Sequence, residues 1–171
     1  LLYKNIGADG IKTGFLTVEK YSLAATIKLE TRRVISVASG FATKNSRSRE
    51  SAKLLNWGLK NFDTIQVGKK DQPIESLNVW LGKKNKLDIV ISEDVYLTIP
   101  KRKKRTIKAV IEYNDPIEAP IKKGDKIGIL NVYVLDNLEK SVEILANEDI
   151  KRSNIFSRVF KSLNYLVWGD V

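Results

Sequence analysis

The chain has 171 residues, with 30 Lys and Arg against 20 Asp and Glu, and a formal net charge of +10. It contains no His, no Cys and no Met. The missing imidazole and thiol groups exclude disulfides, zinc sites built on His or Cys, and catalytic arrangements that use either residue. Any chemistry must therefore depend on Lys, Arg, Ser, Thr, Tyr or carboxylates, and we expect no metal ion and no cofactor.

The size and composition indicate a folded protein with one domain or two small ones. Hydrophobic residues make up 43% and aromatic residues 8% of the chain, which is unlike a disordered basic tail. Because the chain starts with Leu1 and Leu2 and has no Met, we expect a fragment or a processed product. We find no secretory leader within residues 1–25 and no apolar run of about 18 residues that would span a bilayer.

The positive charge is unevenly distributed along the chain. Residues 1–64 carry 11 basic and 5 acidic residues, residues 65–150 carry 15 and 14, and residues 151–171 carry 4 and 1. The central part is nearly neutral although it contains the densest basic run, residues 101–105. The excess charge therefore belongs to the two ends of the chain.

Residues 1–64 show strand and turn patterns followed by one helical pattern. A turn signal at Ala8 to Gly10 precedes a short strand, and the ranges 21–29 and 33–39 predict two strands joined as a hairpin. A helix follows, with Asn45 or Ser46 as its cap. Its apolar positions recur at intervals of three and four residues: Ala52, Leu55, Leu59 and Phe62. Two further apolar residues, Leu54 and Trp57, widen that face.

Residues 65–150 change to a period of two, which is typical of short strands. Breaks at Gly82, Pro100, Pro116, Pro120 and Gly124 separate the strand candidates. The candidates are residues 77–81, 87–92, 95–99, 106–113, 127–135 and 140–146. Short strands with turn signals at close spacing favour a small all-β sandwich, with a boundary between Asp63 and Asp71.

The basic run at residues 101–105 has two interpretations. Alone it resembles a nucleic-acid patch, but it lies between two strand patterns and contains no aromatic residue on which a base could stack. We therefore favour a hairpin with a solvated, charged connection. We expect no nucleic-acid partner.

Residues 151–171 predict an amphipathic helix. The apolar side and the ends carry residues suited to a membrane interface, and the polar side is basic. Packing on the body of the protein and lying on a membrane surface explain this pattern equally well. The membrane interpretation depends on Phe156, Arg158, Phe160, Lys161, Leu163 and Trp168.

The most informative motif is Lys12-Thr13-Gly14, which follows a Gly turn and precedes Phe15. On an edge strand beside a cleft, Lys supplies a cation, Thr a hydroxyl for an anionic group, and Gly space for a ligand near the backbone. Lys-Thr-Gly is also a signature of serine β-lactamases and penicillin-binding proteins. Taken alone, the three residues favour an ordinary turn and strand, because such a tripeptide is common by chance.

Longer stretches extend the similarity. The runs GADGIKTGF, YSLAATIKLETRRVISVASG and RSRESAKLLNWGLKNFDTI resemble, in this order, the low-molecular-mass penicillin-binding proteins that act as D-alanyl-D-alanine carboxypeptidases. DVYLTIP and APIKKGDKIG resemble the C-terminal β domain of that family, and the tail resembles its membrane anchor. The resemblance covers essentially the whole chain. It favours membrane contact for the tail.

The resemblance implies an α+β fold in three parts. Residues 1–64 would be the C-terminal portion of a transpeptidase-like catalytic domain, with antiparallel strands and one helix. Residues 65–150 would be the β-sandwich domain, and residues 151–171 the membrane-associating helix. The protein would act on the outer, periplasmic face of the bacterial cytoplasmic membrane as a peripheral protein, after export by a signal upstream of this sequence.

It also implies roles for individual residues. Lys12 would support the electrostatics of the nucleophile and substrate, and Thr13 would bind the terminal carboxylate of the substrate. Gly14 would leave room for the ligand, and the backbone N–H of Phe15 would complete the oxyanion hole. These residues would bind D-Ala-D-Ala stem peptides of peptidoglycan and β-lactams.

Arg47 corresponds to an arginine near the carboxylate end of the family's cleft. Arg49 is an alternative, and either could be an ordinary surface residue at a helix start. Two positions depart from the family: Lys20 and Phe41 each replace a glycine. The departure at Lys20 predicts an altered loop beside the cleft.

The catalytic serine is missing from the sequence. The family's nucleophile lies in Ser-x-x-Lys, and no Ser in these 171 residues is followed by Lys at that spacing. Ser76-Leu77-Asn78 matches the family's Ser-x-Asn motif but follows Lys-Thr-Gly, so we interpret it as chance. We expect an acyl-serine carboxypeptidase as the full-length protein, an inactive fragment here, and self-association through exposed sheet surfaces.

The alternative hypothesis is a non-catalytic module, in which the β domain and the tail dock on a membrane or a protein partner. Upstream sequence distinguishes the two hypotheses, because the enzyme requires Ser-x-x-Lys and Ser-x-Asn before Leu1. Neither the preferred peptidoglycan substrate nor the oligomeric state follows from the residues.

Overall fold

A computed structural model of the chain describes residues 7–29 and 32–154. In these ranges the chain is mostly β, with eleven strands, one α-helix and one short 3-10 helix. They form two compact units. The first comprises the described residues up to Thr64 together with Thr98–Arg102, and the second comprises Ile65–Leu97 and the described residues from Lys103 onward.

The first unit contains a three-stranded antiparallel sheet and the helix. Strands β1 (Ala8–Leu16), β2 (Lys20–Leu29) and β3 (Arg32–Phe41) pair in the order β1-β2-β3. Helix α1 (Lys44–Asn61) follows directly. The prediction of two or three strands and one helix in this part of the chain is confirmed.

The core of the first unit lies between β2 and α1. Leu23, Ala25 and Ile27 alternate along β2 and pack with Leu55 of the helix, as expected for a strand whose side chains point to opposite faces. Three half-buried residues complete this cluster: Ala8, Val34 and Leu59. The intervening residues of the sheet point to the face away from α1.

Helix α1 is capped by Thr43, so the predicted cap at Asn45 or Ser46 is wrong by two or three residues. The Thr43 side chain accepts a hydrogen bond from the Ser46 backbone N–H at 3.0 Å, and the Ser46 hydroxyl accepts one from the Thr43 N–H at 3.1 Å. This reciprocal capping box satisfies two backbone donors. Ser46 is therefore the partner of the cap, three residues inside the helix.

The other end of α1 is held by an arginine from the sheet. Arg32 donates through Nη1 to the carbonyl of Phe62 and through Nη2 to that of Leu59 at 2.7 Å. These carbonyls lie at the end of the helix, where backbone acceptors lack intrahelical donors. Phe62, predicted to belong to the apolar face of the helix, instead begins the next strand.

The second unit is a β structure. Two further strands, β4 (Phe62–Gly68) and β7 (Val95–Pro100), form a two-stranded sheet, and the unit boundaries after Thr64 and Leu97 fall within them. The six-stranded sheet has the order β8-β10-β11-β6-β5-β9. Its strands, in chain order, are β5 (Pro73–Trp80), β6 (Lys86–Ile91), β8 (Ile107–Tyr113), β9 (Ile117–Glu118), β10 (Lys126–Val134) and β11 (Asn137–Ala146).

The core of this unit follows the period-two pattern only in part. Alternate residues are buried at the end of β11, whereas β6 and β10 each contain three consecutive buried residues, 89–91 and 130–132. The fully buried side chains include Leu87, Ile89, Ile91, Val132, Ile144 and Ile150. All six strands predicted between residues 77 and 146 are present, while β4 and β9 were not predicted.

The predicted hairpin around the basic run is wrong. Residues Lys101–Thr106 form the 3-10 helix, β7 pairs with β4, and β8 pairs with β10. The flanking strands thus belong to different sheets. A period-two pattern identifies a strand but not its partner, because pairing is decided by distant parts of the chain.

Residues 150–153 are tied to the second unit by backbone pairing. Ile150 exchanges two backbone hydrogen bonds with Ile121, at 2.8 and 2.9 Å. Arg152 donates to the carbonyl of Ala119 at 2.9 Å and lies 3.8 Å from a carboxylate oxygen of Glu118. The guanidinium of Arg152 therefore has partners within the protein, and residues 151–154 are not helical.

The amphipathic helix predicted in residues 151–171 otherwise lies outside the described residues, as do the six membrane-contacting residues assigned to it. Among the residues that the structure describes, no helix has the length and apolar character needed to cross a membrane.

Candidate substrate-binding strand

Strand β1 carries the Lys-Thr-Gly motif and is an edge strand of its sheet among the residues that the structure describes. In the antiparallel pairing with β2, Lys12 lies opposite Ala24 and Thr13 opposite Leu23. Neighbouring side chains on a strand point to opposite faces, and both motif side chains are exposed. A ligand that contacts both must therefore lie along the edge of β1, where it can also meet backbone donors and acceptors.

Gly14 faces Ser22 across the strand pair. A Cβ atom at Gly14 would lie 2.4 Å from the Ser22 Oγ, so a side chain here requires the serine to rotate. The sequence suggested that this glycine leaves room for a ligand. In the structure, the Ser22 hydroxyl lies on the side of the sheet to which a side chain at position 14 would point.

The end of the motif strand is connected to α1 through an aromatic pair. Phe15 and Tyr21 face each other across the hairpin, with ring centroids 4.7 Å apart. The Arg47 Cζ lies 5.7 Å from the centroid of Tyr21, within the range of a cation–π contact. The structure thereby brings Arg47 and Phe15 to the same ring, at the C-terminal end of the motif strand.

Arg47 and its alternative, Arg49, differ in their partners. Arg49 donates from Nε to a carboxylate oxygen of Glu50 at 2.6 Å, and Lys53 pairs with the same carboxylate at 3.2 Å. The hydrogen bond from Arg49, followed by that from Lys53, lowers the pKa of Glu50. Arg47 has no such ion pair within residues 7–29 and 32–154, so its charge is the better candidate for a ligand carboxylate.

The start of the motif strand is held by an ion pair that sequence reasoning missed. Arg33 of β3 binds both oxygens of Asp9, each at 2.8 Å, and donates to the Thr26 hydroxyl of β2 at 2.8 Å. The hydrogen bond lowers the pKa of Asp9 and raises that of Arg33. One side chain thus connects all three strands near the motif.

The two departures from the family pattern lie at the other end of the hairpin. Lys20 has a φ of +57°, the left-handed region in which glycine is tolerated at the least cost. Phe41 lies opposite Tyr21, next to Gly40, whose φ is +82°. Lys20 therefore occupies a position whose backbone explains the family's glycine.

Tyr21 is the residue that the sequence should have identified. A three-residue turn at residues 17–19 places the aromatic side chains of Phe15 and Tyr21 opposite each other, and such cross-strand pairs stabilise hairpins. The contact between Tyr21 and Arg47 had no comparable signal, because it depends on how α1 packs against the sheet.

Other candidate groups do not extend the site. Ser76 lies on β5 in the second unit and donates its hydroxyl to Asp88. Within the residues that the structure describes, no three carboxylates form a group that could hold a metal ion.

Comparisons with known proteins agree with this architecture. The family model of the penicillin-binding protein 5 C-terminal domain matches residues 62–152. The D-alanyl-D-alanine carboxypeptidase DacA of Haemophilus influenzae is 35% identical over 169 residues, covering 97% of this chain and 43% of the relative. DacA of Escherichia coli K12 is 31% identical over 161 residues, covering 93% of this chain and 40% of the relative.

Solved structures show the same likeness. Penicillin-binding protein 5 from Haemophilus influenzae superposes with a TM-score of 0.69 at 32% identity, covering 88% of this chain and 44% of that one. The carboxypeptidase DacD from Francisella tularensis gives 0.65 at 30% identity, covering 89% and 38%. The chain thus spans less than half the length of these relatives.

Proposed function

The chain belongs to the penicillin-binding protein 5 C-terminal domain family, and on that premise we propose that it is part of a serine-type D-alanyl-D-alanine carboxypeptidase. The full-length protein trims the terminal D-Ala from peptidoglycan pentapeptides and binds penicillin as an acylating analogue. The observation that carries this proposal is Lys12-Thr13-Gly14 on an edge strand, with Arg47 held beside the end of that strand.

The edge of β1 is suited to an extended peptide. A substrate that pairs with this edge would meet backbone donors and acceptors in the manner of an added strand. At the C-terminal end of β1, the Thr13 hydroxyl donates to the terminal carboxylate of the peptide and Arg47 supplies a charge-assisted contact. The Phe15 N–H contributes to the oxyanion hole.

The chemistry itself is acyl transfer through a serine elsewhere in the full-length protein. The serine hydroxyl attacks the carbonyl of the penultimate D-Ala, the peptide bond breaks, and the terminal D-Ala leaves with a proton on its amine. Water then hydrolyses the acyl-serine. Lys12 provides positive charge that stabilises the developing anion and favours the deprotonated nucleophile.

No residue of the 171 lies in a Ser-x-x-Lys motif. The chain alone therefore contributes one wall of the active site and is inactive without the remainder of the catalytic domain. In this proposal it neither forms an acyl-serine nor reacts covalently with penicillin.

The exposed sheet face supports a larger catalytic domain. Ile35 and Val37 of β3 are 59% and 77% exposed. They alternate with Ser36, which lies opposite the core residue Ala25, and so they point away from α1. Apolar side chains exposed in this way mark a surface that another element covers. Alone, the chain is expected to self-associate through it.

We place the protein at the periplasmic face of the cytoplasmic membrane. Relatives named as carboxypeptidases support a cell-wall location, and the basic, aromatic pattern of residues 155–171 supports peripheral contact through Phe156, Arg158, Phe160, Lys161, Leu163 and Trp168. Vesicle flotation with and without these residues tests the membrane contact. Equal binding of both forms would contradict it.

Release of D-Ala from a diacetyl-L-Lys-D-Ala-D-Ala peptide tests the activity. The full-length protein is expected to release one D-Ala per peptide and to lose the activity after acylation by penicillin. A full-length protein that folds, binds the peptide and releases no D-Ala would contradict the proposal and favour the non-catalytic module.

A further inference from the structure

A cleft lies in the first unit, at the opposite end of α1 from Arg47. Its volume is about 370 Å³, and it is formed by the C-terminal part of α1, the start of β4, the last residue of β7 and the two residues that follow β7. Arg47 and Trp57 are ten residues apart on the helix, which is about 15 Å along its axis. The residues that shape the cleft are Trp57, Lys60, Phe62, Pro100, Lys101 and Arg102.

One wall of the cleft is an exposed, oriented aromatic ring. Trp57 is 56% exposed, although an indole of this size is normally largely buried. The Phe62 ring packs against it edge to face, at 5.2 Å and 71°. Asn61 donates to the Trp57 carbonyl at 2.9 Å, and Arg32 fixes the carbonyl of Phe62. The indole therefore presents a preformed apolar surface.

The remainder of the rim is cationic. Lys101 lies 3.8 Å from a carboxylate oxygen of Asp63, which partly neutralises it. Lys60 and Arg102 are exposed and form no ion pair within residues 7–29 and 32–154. The cleft thus combines one aromatic face with two uncompensated positive charges.

We propose that this cleft binds a carboxylate-bearing sugar segment of peptidoglycan, such as a muramyl residue with the start of its stem peptide. The C–H face of a sugar ring packs on the Trp57 indole by dispersion and burial of apolar surface. Lys60 and Arg102 pair with carboxylates of the same segment. The volume lies within the range of small-ligand pockets, and its concave shape favours a polymer segment over a flat membrane surface.

This proposal rests on the proposed function, because peptidoglycan is its ligand, but it concerns binding and not bond cleavage. Holding the polymer at a second point increases the effective concentration of stem peptides at β1. This increase in effective concentration applies only to substrates whose stem peptide is linked to the glycan. Short soluble peptides do not reach both sites.

Titration of the 171-residue chain with a disaccharide-tetrapeptide tests the proposal. This probe ends in a single D-Ala and is not a carboxypeptidase substrate, so its binding does not depend on the activity. We expect saturable binding by calorimetry, and binding at least about tenfold weaker for the Lys60→Ala/Arg102→Ala variant, since each removed charged contact contributes on that order. The matched control is Lys122→Ala/Lys123→Ala, which removes the same charge from an exposed loop of the second unit.

Trp57→Phe provides a second measurement. It keeps an aromatic ring with a smaller face, so weaker binding with an unchanged unfolding midpoint supports stacking at this position. Equal affinity in the wild-type chain and the Lys60→Ala/Arg102→Ala variant would overturn the proposal. A second result would also overturn it: the Lys60→Ala/Arg102→Ala variant loses binding to anionic phosphatidylglycerol vesicles but binds the tetrapeptide as the wild-type chain does. That result would assign the cleft to the membrane.

In the full-length protein, Lys60→Ala/Arg102→Ala is expected to leave D-Ala release from the short peptide unchanged. The same variant is expected to raise KM for glycan-linked pentapeptide. Failure of the short-peptide reaction in the wild-type protein would contradict the proposed function and leave the tetrapeptide titration as an independent test of the cleft.

Discussion

Arg47 in the first turns of α1 lies over the ring of Tyr21 on β2, with 5.7 Å between the guanidinium carbon and the ring centroid. Tyr21 in turn packs on Phe15, at the end of the Lys-Thr-Gly strand. Through these two contacts, the guanidinium of Arg47 on α1 is connected to the edge strand β1. They place Arg47 beside the end of the strand that carries Thr13, and the proposed function assigns both residues to the peptide carboxylate.

Replacing Arg47 with Ala in the full-length protein is expected to lower kcat/KM for the D-Ala-D-Ala peptide by about ten- to a hundredfold, because a charged contact to the carboxylate is lost. Arg49→Ala is the control, since Arg49 is paired with Glu50. Its kcat/KM should stay near that of the wild type. Steady-state D-Ala release measures both, and equal effects of the two substitutions would contradict the assignment.

Gly128→Ala is expected to destabilise the second unit by about 1–3 kcal/mol through overpacking. The added Cβ would lie 2.3 Å from the backbone oxygen of Glu112, so β8 would have to move away from β10. Denaturant unfolding of the chain measures the loss.

Gly14→Ala is the comparison for that substitution. Its Cβ meets the Ser22 hydroxyl, which a rotamer change moves away at a cost of about 1 kcal/mol. The free energy of unfolding should fall less than for Gly128→Ala. A larger loss for Gly14→Ala would show that Ser22 cannot rotate.

Lys20→Gly is expected to raise the free energy of unfolding by about 0.5–1 kcal/mol, because relief of the left-handed strain exceeds the added backbone entropy cost. Lys28 is the matched control, since it is an exposed lysine in the extended part of β2. Lys28→Gly should be destabilising. Thermal unfolding distinguishes the two variants, and equal shifts in Tm would contradict the role assigned to the backbone at Lys20.

The Asp9–Arg33 ion pair predicts that part of the free energy of unfolding is lost at acid pH. The folded state lowers the pKa of Asp9, so the stabilisation is fully present above the unfolded-state pKa of about 4 and is lost as the pH falls through the folded-state value. Asp9→Asn should therefore flatten the fall in stability below about pH 4. Denaturant unfolding at a series of acid pH values measures the slope. The control is Asp115→Asn, which removes the same charge from an exposed position, and equal slopes for the two variants would contradict the role assigned to the pair.

The sequence predicted the strands of both units well because alternation of apolar and polar residues is a local signal. Ala25 and Ile27 already showed which face of β2 is buried. The pairing of β7 with β4 was missed, because Val95 to Pro100 carries no information about its distant partner. The sequence does not single out Thr43 as the cap, because several polar residues lie at the start of the helix and Ser46, its reciprocal partner, is itself a common capping residue.

The candidate site was predicted in part. Lys12, Thr13 and Gly14 stood in a recognisable motif with a turn before it, so their position on a strand followed from the pattern, whereas the place of that strand at the edge of the sheet comes from the structure. Arg33 had no such signal, since it acts through contacts across strands, and neither had the contact between Tyr21 and Arg47. Those contacts depend on the register and the packing of α1.

Covalent labelling with a fluorescent penicillin, carried out side by side on the full-length protein and the 171-residue chain, tests the central claim most directly. We predict a labelled full-length protein whose signal unlabelled penicillin blocks, and no labelling of the chain alone, because the acylated serine lies outside these residues. Labelling of the isolated chain, or a folded full-length protein that stays unlabelled, would contradict the account.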